Sequence, residues 1–338
     1  MPSSGSKYLK RAEDYSYNLI QVLDQNIEEV VQFILELEAD QDTTADFIRW
    51  LLASYDEHKA YTFIASDKFT DSVVGCVSFV QFSYELDSNK QQIYITSKCY
   101  IHNQHLKKGV YKKLMNEGAE TVLFEHPNAQ IVSIGSTKSG PVNTKAGFHH
   151  LSDIRKFVLP RWKLGLGHRK IVTKDEINLK ILQDAMSEGF QLKSETDTVG
   201  FQPTIDAATL KWVSSDPRRR YLLLRLKNDQ RSFIVFYIEM TTMIICSCSF
   251  ANKQSETKLL SFLKNEARSK GFDRIEGWAV KGSNMANCFS HQGFLHNPFT
   301  FGPWNERMPV YVYSLLGEPT DAMEDYLDQF AIGSGFHS

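Results

Sequence analysis

Between Tyr94 and Met115 the chain reads YITSKCYIHNQHLKKGVYKKLM, and most of its candidate chemistry falls there. Ile93, Ile95 and Ile101 predict a strand, Asn103 to Lys108 a polar, basic loop, and Gly109 the start of a helix. A helix start leaves backbone N–H groups without intrahelical acceptors and carries partial positive charge. A loop that gathers those amides therefore makes a site for a phosphate or pyrophosphate. Gly109 lets a ligand approach the backbone closely, and Lys107 and Lys108 add positive charge beside it. The titratable candidates for proton transfer between Ile93 and Lys108 are Cys99, Tyr100, His102 and His105. His102 is either a base that accepts a proton near neutral pH or an ordinary histidine at a strand end. Cys99 acts as a nucleophile only with a lowered pKa, and its alternation with Ile101 points instead to a residue packed in the sheet. Tyr100 reads as an edge or core aromatic. Glu85 and Asp87, just before the strand, either face an amine substrate or are solvated turn carboxylates.

The elements that position these groups belong to a chain of 338 residues, long enough for two domains each with its own core. Hydrophobic content of 42%, charged content of 23% and a net charge of -2 describe a globular protein and give no argument for a nucleic-acid or anionic-membrane partner. No apolar segment reaches bilayer length and the first residues have no signal-peptide core, so the expected compartment is the cytoplasm. Cys76, Cys99, Cys246, Cys248 and Cys288 read as free thiols. Cys246 and Cys248 are predicted on one face of a strand, and without a second pair they predict no metal site.

In chain order, helices are predicted from Asn26 and over Thr44 to Ser54, then strands at 62–66, 72–82 and 93–101. A helix over Val110 to Phe124 leads to the apolar strand 129–135, a short helix ending at Gly147-Phe148, and a strand at 153–159. After a Gly- and Lys/Arg-containing linker, helices are predicted over Asp175 to Met186 and Thr204 to Ser214, and the order of elements then repeats. Phe47-Ile-Arg-Trp50-Leu before one strand is matched by Thr209-Leu-Lys-Trp212-Val before another. Strands follow at 221–227, 232–240 and 243–250, then a helix over Ser255 to Lys270, a strand at 273–280, a short helix to Gly293-Phe294 and a strand at 310–316. Asp216-Pro-Arg-Arg-Arg220 reads as a solvated basic turn. Phe299, Phe301 and Trp304 wall a pocket or cover the sheet.

The run Gln104-His105-Leu106-Lys107-Lys108-Gly109 resembles the acyl-CoA loop of the GNAT superfamily of N-acyltransferases, Gln/Arg-x-x-Gly-x-Gly/Ala, with Lys107 in place of the first glycine. The element order over 17–160 resembles the GNAT fold, and the repeat makes the chain a tandem pair. The expected architecture is α/β, or α+β: two GNAT-like domains, 17–160 and 175–317, each a mixed, mostly antiparallel sheet flanked by helices, with a linker at 161–174 and a tail at 318–338. The resemblance implies that Ile101, Gln104, His105, Leu106, Lys107, Lys108, Gly109, Val110 and Tyr111 bind acetyl-CoA or another acyl-CoA. It also implies that pantetheine lies in a splay between the fourth and fifth strands. Asn143 stands where the family often has the tyrosine that protonates the departing thiolate, and Phe289 stands there in the second copy. The family's base is often a glutamate on or near the fourth strand, and none lies between Ile93 and Lys108. The implied function is acyl transfer from acyl-CoA to an amine-bearing substrate, largely by positioning and by backbone stabilisation of the oxyanion. The alternative is a degenerate relative that binds CoA or a protein partner without turnover. The second copy offers Ala251-Asn-Lys-Gln-Ser-Glu256, which has no glycine, so the first is the better acyl-CoA site.

Overall fold

The computed structural model describes residues 17–22, 27–38, 43–52, 60–86, 89–135, 139–164, 176–188, 204–205, 207–280, 282–297, 304 and 306–313. The expectations for 1–16, Asp87, Phe299, Phe301, most of the linker and the 318–338 tail lie outside these residues, as does the side chain of Glu85.

The first half runs β1 (Tyr17–Val22), α1 (Ile27–Leu37), α2 (Ala45–Leu52), β2 (Ala60–Asp67), β3 (Val73–Leu86) and β4 (Asn89–Ile101). It continues through α3 (Val110–Glu125), β5 (Gln130–Ile134), α4 (Gly140–Lys145) and β6 (Phe148–Pro160). A helical turn, α5 (Arg161–Leu164), occupies the start of the predicted linker. The second half comprises β7 (Ile177–Ile181), α6 (Leu182–Ser187), the short β8 (Thr204–Ile205), α7 (Ala207–Ser214), β9 (Leu222–Leu226), β10 (Asp229–Glu239) and β11 (Thr242–Ser249). It ends with α8 (Lys253–Ser269), β12 (Arg274–Val280), α9 (Asn284–His291) and β13 (Arg307–Tyr313).

Both halves share one 13-stranded sheet, in the order β1-β2-β3-β4-β5-β13-β6-β12-β11-β10-β9-β7, with β8 attached to β3. Only β4–β5 and β11–β12 are parallel among the described pairs; the rest are antiparallel. The halves exchange their last strands: β13 of the second pairs with β5 of the first, and β6 of the first pairs with β12 of the second. Each half thus completes the other's sheet, with β6 and β13 paired at the seam.

Alternation explains the layers. One face of the central strands, with Val132, Ile154, Val310 and Val312, packs against α2, α6 and α7. The opposite face packs against α3 through Phe79, Tyr94 and Tyr311, and against α8 and α9 through Phe157 and Ile275, with Phe289 of α9 in the same cluster. Gly118 lets α3 lie close on β3, because a Cβ there would stand 2.4 Å from the Phe79 ring.

Three expectations are corrected and one strand is added. Asp175 to Met186 is not one helix: Ile177, Leu179 and Ile181 alternate as an edge strand beside β9, and only Leu182–Ser187 is helical. The strand β1, absent from the sequence reading, pairs along β2. Cys246 and Cys248 do not share a face, because Cys246 is the extra residue of a bulge opposite Val235 and Phe236, which sends the two thiols into different cores. The basic run is not merely solvated: Arg218 bonds the buried Asp216 at 3.1 Å and stacks 3.3 Å from the Phe47 ring centroid, while Arg219 lies 4.4 Å from that of Tyr237. All five cysteines are free thiols, and no described helix is long and apolar enough to cross a membrane.

Candidate functional site

Two features of β4 open a gap in the sheet. Its parallel pairing with β5 ends at Thr96–Ser133, although β4 continues to Ile101. Immediately beyond, Ser97 to Tyr100 face only Cys76 to Ser78 of β3, a bulge carrying Lys98 at φ 46°. A bulge bends and twists its strand. On the other side β5 stays with β13, Gly135 N–H donating to the Pro309 carbonyl at 3.1 Å. The end of β4 and the end of β5 therefore separate, and the loop to α3 leaves from the rim of the gap.

That loop is rigidly built. His102 N–H donates to the Val74 carbonyl at 2.9 Å, and its ring Nδ1 accepts from Gln104 N–H at 3.4 Å. Tyr17 of β1 holds the His105 ring at 3.0 Å, and burial, with Lys108 beside it, lowers the pKa of that imidazole. The chain then turns through Lys107 at φ 65° and Gly109 at φ 84°, two left-handed residues separated by Lys108. Lys107 thus adopts the backbone that a glycine would adopt most readily at its position. The helical ladder of α3 begins with Lys113 N–H on the Gly109 carbonyl at 3.0 Å, and Gly109 supplies no side-chain cap. The amides of Val110, Tyr111 and Lys112 therefore have no acceptor among the described residues. Gln104, Leu106 and Lys107 are exposed around this point, and Ile101, His105, Lys108 and Tyr111 are half-buried. The Val110 side chain is buried in the core with Leu114, leaving only its amide for a ligand.

The corresponding helix start in the second half is closed. Asn252 Oδ1 accepts from Gln254 N–H at 3.0 Å and Ser255 N–H at 2.9 Å, while Ala251 N–H donates to Ser232 Oγ at 2.9 Å. The side chain of an N-cap residue occupies the place that an anion needs.

Of the four residues expected to do chemistry, the structure gives each a structural task. His102 caps the loop turn. The Cys99 thiol donates toward the Ser97 carbonyl, and burial raises its pKa to about 12, the opposite of an activated nucleophile. Tyr100 packs on the other face of β4, against the α1 layer. Asn143 is fully buried, accepting from the Tyr111 hydroxyl at 2.5 Å and donating to Ser133 Oγ at 3.1 Å. This chain of bonds ties the first turn of α3 to α4 and to the rim strand β5. Sequence reading missed Ser133 in it, and it missed Glu38, whose carboxylate bonds the bulge residue Lys98 at 2.8 Å. Glu38 follows α1, and only the folded chain brings it to β4.

This half-buried thiol carries a prediction. A thiol whose folded pKa lies above its unfolded value stabilises the fold fully below about pH 9 and loses that contribution as pH rises toward 12. Cys99 should accordingly resist iodoacetamide near pH 8, at ~10% or less of the rate of a free thiol, and Cys99→Ser should leave any turnover within about twofold of the parent. Rapid labelling with loss of turnover would return Cys99 to the list of nucleophiles.

No protein-family model matches the chain, and no curated protein matches its sequence. Solved structures do. A protein of unknown function from Enterococcus faecalis, described as a probable N-acyltransferase, superposes with a TM-score of 0.63 at 10% identity, over 88% of this chain and 72% of that one. A GCN5-related N-acetyltransferase from Anabaena variabilis does so with 0.60 at 10% identity, over 88% and 72%. A tandem GNAT protein from the clavulanic acid biosynthesis pathway gives 0.52 at 10% identity, over 90% of this chain and all of that one. With its opened β4–β5 rim and two copies of the element order, the chain has the fold of the GNAT superfamily of N-acyltransferases in its tandem form.

Proposed function

We propose that the protein is an acyl-CoA-dependent N-acyltransferase, most simply an acetyltransferase, with the donor held by the first half. The observation that carries this reading is the contrast between the two helix starts: open amides after Gly109, capped amides after Asn252. The amides of Val110, Tyr111 and Lys112 would receive the diphosphate, with Lys107 and Lys108 at its side, and the gap beyond Thr96 would take the pantetheine arm. In the reaction the acceptor nitrogen attacks the thioester carbonyl, the C–S bond breaks, and the amine proton ends on the CoA thiol or in water. The chain's part is to orient the donor through the rigid loop and to present backbone N–H at the β4 bulge to the developing oxyanion. The acceptor is an amine, and the free thiols fit a reducing cytosol.

One observation favours a second reading, a CoA-binding protein without turnover: His102, Cys99 and Asn143 are all committed to structural bonds. Thermal-shift titration with CoA and acetyl-CoA, followed by thiol release with an amine panel, separates them. The transferase reading expects stabilisation of about 2.7 kcal/mol at a hundredfold excess over Kd, and thiol release with at least one amine. Stabilisation without release leaves the binder; absence of stabilisation removes both.

A further inference from the structure

The hairpin between β2 and β3, Asp67-Lys68-Phe69-Thr70-Asp71, lies on the rim where β4 feeds the loop to α3. Ala65 of β2 and Ile101 of β4 both pair with Gly75 of β3, so these two strand ends stand two strand spacings apart, roughly 10 Å. Direct contacts tie the flanks of the hairpin to the loop. His102 N–H bonds the Val74 carbonyl of β3 at 2.9 Å. Tyr17, the cross-strand partner of Asp67, bonds the His105 ring at 3.0 Å and accepts from Lys113 Nζ at its carbonyl at 3.4 Å. Asp67 and Lys108 both act electrostatically on the His105 imidazole. The hairpin therefore neighbours the open amides of α3.

The turn presents one aromatic ring outward. Asp67 Oδ1 accepts from Phe69 N–H at 2.8 Å and from Thr70 N–H at 3.3 Å, and Asp71 N–H donates to the Asp67 carbonyl at 2.8 Å. Those bonds fix the backbone and leave the Phe69 side chain 86% exposed, while Leu106 is 51% exposed in the loop. Single exposed apolar residues are common on protein surfaces. What sets Phe69 apart is its neighbourhood: a flat apolar ring, held in a tied turn, beside a phosphate cradle that carries Lys107 and Lys108.

We infer that Phe69 stacks on the adenine of the donor, so that the protein recognises the nucleotide end of a free CoA thioester and not only its pantetheine arm. This rests on the acyl-CoA reading of the helix start after Gly109. The phosphates of CoA are anionic and belong with Lys107 and Lys108, whereas the base is uncharged and offers a π-face and an amino donor. The turn matches that division. Its carboxylates, Asp67 and Asp71, outnumber its one cation, Lys68, which suits a neutral base and disfavours a further phosphate. The same carboxylates disfavour an acidic carrier protein that would bring pantetheine to the gap. Two exposed apolar side chains also fall far short of the roughly 800 Å² that each partner buries in a stable protein interface, and one ring is enough for one base.

Calorimetric titration of the full chain with CoA, 3′-dephospho-CoA and 4′-phosphopantetheine tests the site without turnover. CoA should bind at least ~10-fold more tightly than 4′-phosphopantetheine, which lacks the base. Phe69→Ala should weaken CoA and 3′-dephospho-CoA alike, by about 5- to 100-fold, and leave 4′-phosphopantetheine unchanged. Phe69→Trp, which keeps a stacking surface, should bind CoA at least as well as the parent. Because the ring is exposed, neither substitution should move the melting temperature of the unliganded chain. A Phe69→Ala chain that binds CoA as the parent does, or that weakens CoA and 4′-phosphopantetheine by the same factor, overturns the stacking and leaves the acyl-CoA reading standing. A parent chain that binds none of the three removes the acyl-CoA reading, and this site with it.

Discussion

Gly109→Val is expected to remove the stabilisation of the protein by CoA. Gly109 sits at φ 84°, and a Cβ built on it meets nothing within 4 Å. The fold therefore has room for a side chain; its cost is the left-handed backbone, about 1–2 kcal/mol for a residue with a Cβ and greatest for a β-branched one. A diphosphate held by the amides of Val110 to Lys112 would lie close against Gly109, so a branched side chain there competes with it for that space. Gly109→Asn separates the two effects, because asparagine tolerates the left-handed region and its carboxamide can compete for the amides as Asn252 does in the second half. The valine variant should lose stability and ligand response together, and the asparagine variant chiefly the response. At a CoA concentration one hundred times the parent Kd, about 2.7 kcal/mol of stabilisation should disappear in both. A parent-like shift in either variant would show that the helix start after Gly109 does not hold the diphosphate.

Much of this site was legible because its signals are local. The isoleucine alternation, the polar loop and Gly109 specify strand, turn and helix within some twenty residues. The absence of a glycine between Phe250 and Glu256 likewise anticipated that the second copy lacks an open cradle, and Asn252 is the group that fills it. What the sequence did not disclose depends on partners far along the chain. Nothing in VYVYS says that β13 will leave its own half and pair with β5, because strand pairing follows from tertiary docking rather than from local preference. Residues 177–181 are ambiguous for a related reason: Ile177, Leu179 and Ile181 alternate, but Leu182 and Ala185 continue an apolar pattern at helical spacing, and the pairing with β9 decides between them. The bulges at Lys98 and Cys246 are equally invisible, since each is defined by two strands in register. Glu38 reaches Lys98, and Arg155 meets Arg307, only after that registration is set.

The repeated tryptophans give the second large expected effect, because they join the halves. Trp50 and Trp212 stack with ring centroids 4.4 Å apart and planes 3° from parallel. Each indole donates to the other's backbone, Trp50 Nε1 to the Trp212 carbonyl at 3.1 Å and Trp212 Nε1 to the Trp50 carbonyl at 3.3 Å. Phe82 adds an edge contact to Trp212 at 5.6 Å. Trp212→Ala should therefore cost about 3–5 kcal/mol through the cavity it leaves, with a further penalty for the buried Trp50 carbonyl that loses its donor. Trp212→Phe should retain part of the stacking and cost less. The exchange of β6 and β13 adds a qualitative expectation. Neither half can unfold without stripping the other of a central strand, so calorimetry on the full chain should give a single transition, and Trp212→Ala should lower that transition as a whole. Two separate transitions, with the first half unmoved by Trp212→Ala, would mean that the seam does not couple the halves. The second half would then be a passenger, whereas coupling makes it the partner whose last strand fixes one wall of the gap in the first.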